Sequence, residues 1–145
     1  MKQCSQSGNT IPSRIECMAP LTLAYMGDAI FEIFVREHLI RQAQTNVHDL
    51  HRRTVSYVNA AAQARMVSAL TEHLTPEEAD MVRRGRNQKS GTIPKNADPS
   101  EYRYATGFET LLGWLYYKNQ TERLMTIMQT AVDAIQPSPA EGAHA

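Results

Sequence analysis

Two carboxylates stand in unusually apolar stretches of the sequence and could together hold a metal ion. Asp28 follows Gly27 within Leu-Thr-Leu-Ala-Tyr-Met-Gly-Asp-Ala-Ile-Phe, and Glu109 lies within Ala-Thr-Gly-Phe-Glu-Thr-Leu-Leu-Gly-Trp-Leu-Tyr. An ionised carboxylate that lacks a partner in such surroundings costs several kcal/mol. Magnesium takes oxygen ligands from one or two carboxylates and completes its shell with water and substrate phosphate. The pair therefore suggests metal-assisted hydrolysis of a phosphoester.

For Asp28 a second interpretation stays open. This carboxylate could lie on a narrow solvent-facing stripe that it shares with Glu32, one helical turn later. Its neighbour Gly27 indicates a close contact. A glycine inside a helix costs about 1 kcal/mol of helix stability relative to alanine, so its presence needs a reason such as lack of space for a side chain. We therefore expect another group to approach the backbone at Gly27.

A run of basic residues could contact the phosphates of a nucleic acid. The whole chain is neutral, with 15 Lys and Arg against 15 Asp and Glu. Residues 81–97 nevertheless carry five cations and no acid, so the remaining ten cations and fifteen acids leave a net charge of −5 elsewhere. The five cations are Arg83, Arg84, Arg86, Lys89 and Lys95.

Glycine and proline indicate that this basic segment is a loop, since it contains Gly85, Gly91 and Pro94. Its Arg, Lys, Ser, Thr and Asn residues are types that contact phosphate and sugar oxygens. Four phosphate contacts would give a salt slope of roughly −3.6 by the rule for duplex DNA. The alternative is a solvated flexible connection, but one-signed charge in an otherwise acidic chain favours phosphate contact.

The elements that must position these residues are helices. Apolar residues recur at spacings of three and four along most of the chain, and alternating strand patterns are absent. With Asn46, Thr75 and Asp98 as N-caps, this pattern predicts an all-α fold. Five helices are expected, at about 21–42, 47–70, 76–85, 99–118 and 121–135. They form one domain over 18–135, between a flexible leader at 1–17 and a disordered tail at 136–145.

Composition excludes several classes of protein. Hydrophobic residues make up 42% and charged residues 21% of the chain, which is typical of a globular domain. Cys4 and Cys17 are too few for a disulfide framework or a cysteine zinc site. The longest nearly apolar run, 111–117, is far shorter than the ~20 residues that span a bilayer. With no recognisable secretory signal, we expect a soluble cytoplasmic protein and no membrane partner.

Three motifs, in order along the chain, resemble those of a known family. The segment around Asp28 resembles the signature helix of the ribonuclease III family, whose core reads Glu-Phe-Leu-Gly-Asp-Ala-Val-Leu. The segment 108–113 resembles that family's second acidic motif, Asp-x-x-Glu-Ala-Leu-Ile-Gly. The basic segment 84–96, followed by Tyr102-Arg103-Tyr104, looks like a signature of the Mini-III ribonucleases, which consist of the catalytic domain alone. The resemblance covers roughly 21–134 and implies the helical bundle of the ribonuclease III endonuclease domain.

The chain departs from the pattern of the larger enzymes in its acidic residues. Two further glutamates of their first motif correspond here to Leu21 and Ala24, and the aspartate of their second motif corresponds to Thr106. Of that acidic cluster only Asp28 and Glu109 remain, as in the Mini-III enzymes. We therefore expect one tightly held magnesium ion, with a second recruited by the substrate.

The resemblance implies a homodimeric endoribonuclease that cleaves double-stranded RNA, each active site cutting one strand to leave a 5′-phosphate and a 3′-hydroxyl. It implies that Asp28 and Glu109 are the catalytic and magnesium-binding residues and that the five cations bind RNA. The natural substrate would be the precursor of 23S ribosomal RNA, whose ends are matured during ribosome biogenesis. A ribosomal protein on that substrate is a candidate further partner, and Trp114 a candidate for the dimer interface.

Two other functions compete with this interpretation. The first is a non-catalytic RNA-binding or ribosome-associated module with the same fold. Such modules typically lose the acidic residues, so the presence of Asp28 and Glu109 favours the enzyme. The second is a helical domain that binds a protein partner, which leaves the basic segment unexplained.

Overall fold

The computed structural model describes residues 15–42, 46–89 and 93–136, and within these ranges the chain is helical with no strand. The all-α prediction is therefore confirmed. Most of the expected leader and tail lies outside the described residues. The six α-helices of the described chain are α1 (Pro20–Arg41), α2 (Val47–Val58), α3 (Ala60–Leu70), α4 (Pro76–Arg86), α5 (Pro99–Tyr117) and α6 (Thr121–Ile135). A short 3₁₀ turn, Thr71–His73, follows α3.

The helix starts agree with the expected caps. The Asn46 side chain accepts hydrogen bonds from the backbone N–H groups of His48 and Asp49. Thr75 and Glu78 form a reciprocal capping box at the start of α4. Asp98 accepts from two N–H groups in the first turn of α5. These local hydrogen bonds satisfy donors that a helix cannot satisfy itself, so the sequence alone indicates the starts.

The prediction of a single helix over 47–70 is wrong. This segment forms two helices, α2 and α3, which are divided at Asn59. The backbone of this residue is extended, with φ −69° and ψ 160°. Its N–H still donates to Val55 O at 3.1 Å, closing α2. Its side chain accepts from Ala62 N at 2.8 Å, capping α3. The apolar spacing continues across the break, so periodicity alone predicted a single helix.

The basic segment is also only partly a loop. Helix α4 continues through Gly85 to Arg86, so three of the five cations are helical. Gly85 is buried, and a Cβ atom there would lie 2.8 Å from Thr110 Cβ and 2.9 Å from Gly107 Cα. Its small size therefore allows α4 to pack closely against α5, whereas the sequence analysis interpreted it as a loop residue.

Helix α5 is the centre of the bundle and contacts α1, α3, α4 and α6. Its Phe108 ring meets Phe31 of α1 edge to face, with centroids 5.0 Å apart. Burying large side chains from several helices around one helix explains why α5 is apolar on nearly every side. The largest fully buried side chains include Phe31, Phe108, Leu23, Leu39, Met66, Leu70, Leu111 and Leu112.

A buried ion pair connects α4 to α6. Glu78 is 2% exposed, and Arg123 donates to both of its carboxylate oxygens, each at 2.8 Å. Arg123 also donates to His73 O at 2.7 Å. The hydrogen bond from Arg123 is the main reason why the pKa of Glu78 is lowered.

None of the described helices combines the length and the apolar character that crossing a membrane requires.

Candidate functional site

The two carboxylates are brought together by a close crossing of α1 and α5. A Cβ atom at Gly27 would overlap the carbonyl oxygen of Glu109, and a Cβ atom at Gly113 would overlap the carbonyl oxygen of Leu23. The backbones therefore touch at two points, each made possible by a glycine. The predicted close approach at Gly27 is confirmed, and the approaching group is the α5 backbone at Glu109. Asp28, the next residue of α1, thus lies beside Glu109.

Glu109 is a carboxyl group whose charge is disfavoured by its surroundings. Burial is the main cause, and the negative charge of Asp28 adds to it, so that the pKa of Glu109 rises to about 8. The amide of Gln63 acts in the opposite direction by hydrogen bonding to the carboxyl group. The effect of Asp28 on the pKa of Glu109 shows that the two carboxyl groups are close enough to repel each other.

Asp28 lies on the solvent-accessible side of α1. Partial desolvation and then the charge of Glu32 raise its pKa. Among the described residues no cation pairs with Asp28, whereas Glu32 accepts a hydrogen bond from Arg36 at 3.2 Å. The solvent-facing interpretation therefore describes the exposure of Asp28 correctly, but the neighbouring Glu109 makes it half of a carboxylate pair.

The carboxylate pair has the donor chemistry that a hard divalent cation requires. Its oxygens are the ligands that magnesium prefers, and a cation between them relieves their repulsion. Within the described ranges, no group of three or more His, Cys, Asp or Glu residues is placed to hold a metal. Asp28 and Glu109 therefore fit magnesium as a two-carboxylate set that leaves positions for water and substrate.

Gln63 is a polar residue at this site that the sequence analysis missed. It is 1% exposed in α3, and its Nε2 donates to Val58 O at 2.9 Å. Its Oε1 is buried without a hydrogen-bond partner in the described structure. The available signal was its spacing, because Gln63 precedes Val67 by four residues and Leu70 by seven on the buried face of α3.

Two of the five predicted RNA-binding cations line a common cleft at the junction of α4 and α5. Arg86 and Lys89 contribute to it, together with Arg103 and Tyr104, which the sequence placed in the family signature without a separate role. Arg86 donates to the Tyr104 hydroxyl at 3.3 Å, and its guanidinium lies 5.3 Å from the centroid of that ring. Tyr104 thus holds Arg86 by a hydrogen bond and a cation–π contact.

The other three cations do not line this cleft. Arg83 pairs with Asp80, one residue before the acid-free segment, so its charge is partly compensated. Arg84 contacts Met81 Sδ at 3.9 Å, and Lys95 is exposed in the turn before α5. Residues 90–92 of the basic segment lie outside the described chain.

An apolar stripe is exposed along α1, on the helix that carries Asp28. Tyr25 is 83%, Ile33 67% and Ile40 58% exposed, at the spacing of one helix face. Trp114 is partly buried, and Lys118 Nζ lies 4.8 Å from its ring centroid. Exposed large apolar side chains are therefore more numerous on α1 than around Trp114, where Tyr116 is 45% exposed.

A family model and the curated relatives of this chain agree on one family. The family model for the ribonuclease III domain matches residues 21–120. The Mini-ribonuclease 3 of Symbiobacterium thermophilum is 51% identical over 119 residues, covering 82% of this chain and 92% of that protein. The Mini-ribonuclease 3 of a Thermoanaerobacter species is 46% identical, covering 82% and 84%. The crystal structure of a Fusobacterium nucleatum protein superposes with a TM-score of 0.72 at 27% identity, covering 79% of this chain and 93% of that one.

Proposed function

This chain belongs to the ribonuclease III family and is an endoribonuclease, and we propose that it cleaves double-stranded RNA with magnesium held by Asp28 and Glu109. The observation that carries this proposal is the glycine-mediated crossing of α1 and α5, which brings the two carboxylates together. Neither carboxylate has a cationic partner among the described residues. A divalent cation is the ligand that would satisfy both.

Each residue of the site has a distinct part in the proposed reaction. Asp28 is open to solvent and can be reached by the phosphodiester, while Glu109 lies deeper against α3 and fixes the inner side of the site. When bound, magnesium supplies Lewis-acid chemistry at a phosphate oxygen and lowers the pKa of water. Water adds to phosphorus and the bond to the 3′-oxygen breaks, which leaves a 5′-phosphate and a 3′-hydroxyl.

The cleft between α4 and α5 is the proposed site for the RNA backbone. Arg86, Lys89 and Arg103 provide cations there, and Tyr104 fixes the direction of Arg86. Such contacts recognise the shape and phosphates of an A-form duplex more than its sequence. The predicted cations outside the cleft, Arg83, Arg84 and Lys95, would extend this basic surface along the duplex.

The exposed stripe of α1 is the proposed interface of a homodimer. Tyr25 lies three residues before Asp28 on the same helix, so pairing of two copies through this stripe would place their active sites near one another. Two sites beside one groove could then cut both strands of a duplex. Trp114 and its neighbouring aromatic residues stay a second candidate for this interface.

The proposed natural substrate is the precursor of 23S ribosomal RNA, in the cytoplasm, with a ribosomal protein on the substrate as a further partner. The similarity to Mini-ribonuclease 3 proteins supports this proposal. A basic cleft that reads duplex shape is compatible with a base-paired stem at the ends of a precursor.

The deciding experiment is cleavage of a long, fully paired RNA by the purified protein at low salt. We expect cutting with magnesium, none with chelator, and none by Asp28→Asn or Glu109→Gln. The matched control is Glu32→Gln, which removes the next carboxylate of α1 and should keep activity. A melting curve for each variant separates lost chemistry from lost folding. Binding without cleavage in every divalent metal tried would contradict the proposal for this substrate.

A further inference from the structure

A fully buried amide adjoins the carboxylate pair and is not explained by packing. Gln63 is 1% exposed on a face of α3 whose other buried members include Met66 and Val67. Its Nε2 donates to Val58 O, the last carbonyl of α2, at 2.9 Å. This bond satisfies one carbonyl that the end of α2 cannot satisfy itself. It uses only one of the two N–H donors of the amide.

The other side of the amide faces the catalytic pair. The Gln63 amide interacts favourably with the ionised Glu109 carboxyl group and so opposes the rise of its pKa. The Oε1 atom, in contrast, is buried with no donor among the described residues. While it holds its proton, the Glu109 carboxyl group can be that donor, but once it ionises to bind a cation it only accepts hydrogen bonds. The metal-bound state therefore needs a donor from beyond the described residues, and water is the smallest candidate.

We propose that Gln63 is a positioning residue of the metal site, holding the Glu109 carboxylate through its remaining N–H group while its Oε1 accepts a hydrogen bond from a water of the cation's shell. The inference rests on the proposed metal site at Asp28 and Glu109. An amide suits this role because it adds an oxygen acceptor without a third negative charge beside two carboxylates that already repel each other.

The test measures binding of manganese ions alone, by calorimetry, without RNA. Gln63→Met keeps the length of the side chain and removes its polar atoms, and we expect its Mn²⁺ affinity to fall roughly 10- to 100-fold, as for other groups that orient metal ligands. Gln63→Glu keeps the oxygen acceptor, and we expect it to bind Mn²⁺ at least as tightly as the unchanged protein. A residue that only caps Val58 O would not separate the two variants in this way.

Thr54→Val is the matched control. Thr54 is 4% exposed and its hydroxyl donates to Leu50 O at 2.8 Å, so the variant also removes a buried polar group, but one on α2. We expect it to lower the melting temperature and to leave the Mn²⁺ affinity unchanged. Unchanged affinity in a folded Gln63→Met protein would overturn the inference.

Two further results are informative. If Gln63→Met does not fold, weaker binding by Gln63→Glu than by the unchanged protein overturns the inference, and equal or tighter binding supports it. If the unchanged protein and Asp28→Asn both fail to bind Mn²⁺, the proposed metal site is itself wrong and the inference falls with it. The two failures can be told apart. When only the inference about Gln63 is wrong, the unchanged protein still binds Mn²⁺, whereas it does not when the metal site itself is wrong.

Discussion

Glu109 illustrates, at the scale of a single residue, how this fold gives up stability to keep a functional group. Its pKa of about 8 in the folded chain compares with about 4.5 in the unfolded chain. Below the pKa of the unfolded chain, Glu109 is protonated in both the folded and the unfolded state, so its burial costs no stability through ionisation. As pH rises from there toward 8, the unfolded state ionises while the folded state holds its proton, so stability falls throughout this window. Neutral pH lies within it.

We predict that Glu109→Gln stabilises the metal-free protein while abolishing cleavage. The neutral amide removes the ionisation penalty and the repulsion by Asp28, and the gain should be about 1–3 kcal/mol at pH 8 and near zero at pH 4.5. Urea unfolding in chelator at both pH values measures it. An equal effect at the two values would mean that the pKa of Glu109 is not raised by the fold.

At the scale of secondary-structure elements, the crossing of α1 and α5 fixes the geometry of the site. Gly27 and Gly113 allow contact between two backbones, and this contact sets the position of Asp28 relative to Glu109. The distance between the carboxylates is therefore determined by helix packing and not by a flexible loop.

We predict that Gly27→Ala lowers both stability and cleavage, although alanine favours helix. The added Cβ would overlap the carbonyl oxygen of Glu109 and force the helices apart, with an expected net loss of about 1–3 kcal/mol. The opposite exchange, Ala79→Gly on the exposed side of α4, is the control. It should cost about 1 kcal/mol through helix propensity and leave activity intact. A Gly27→Ala protein as stable as the original would disprove the close contact.

The ion pair between Glu78 and Arg123 joins two elements that the sequence does not connect. Because the folded pKa of Glu78 is lowered, the pair contributes stability above the unfolded pKa of about 4.5, and this contribution is lost as pH falls through the lower folded pKa.

We predict that Arg123→Met destabilises the protein by roughly 3 kcal/mol at pH 7, because a buried carboxylate loses its partner. The difference from the unchanged protein should shrink as pH is lowered from 5 to 3. Denaturant unfolding across this range tests the prediction, and a difference that does not vary with pH would contradict it.

At the scale of the whole molecule, charge and apolar surface are distributed on different elements. The cations of the cleft lie on α4, α5 and the segment between them, while the exposed apolar stripe lies on α1. A neutral chain can therefore present both a surface for a polyanion and a surface for a second copy.

We predict that the protein sediments at about twice its chain mass of 16.3 kDa and that Ile33→Glu makes it monomeric. A charge in the middle of the apolar stripe would be desolvated on pairing. Val55→Glu is the control, since Val55 is 47% exposed on α2 and does not line the pocket that Ile40 of the stripe shares with Val47. A monomer at micromolar concentration before any substitution would contradict the proposed interface.

We predict that the double variant Arg86→Gln, Lys89→Gln weakens RNA binding and reduces the magnitude of its salt slope by about 1.8, the duplex-DNA value for two phosphate contacts. Titrations of duplex RNA in chelator over a salt series measure it. Arg41→Gln and Arg52→Gln remove exposed cations that are paired on α1 and α2, and they should not change the slope. An unchanged slope in the cleft variant would exclude the cleft as the phosphate site.

The sequence by itself determined the all-helical fold, the caps at Asn46, Thr75 and Asp98, and the two carboxylates. Caps such as Thr75 and Asp98 act through hydrogen bonds within a few residues, so local chemistry suffices to predict them. Asp28 and Glu109 could be identified because an ionised side chain is energetically unfavourable in an apolar stretch of sequence. The motifs around them also identified the family that the comparisons established.

Only the tertiary structure decided which residues meet. The partner of Gly27, the packing role of Gly85 and the place of Gln63 beside Glu109 all depend on contacts between helices that are distant in sequence. The break at Asn59 escaped prediction because the apolar spacing continues across it. Periodicity reports which face of a helix is buried, but it cannot report which helix covers that face.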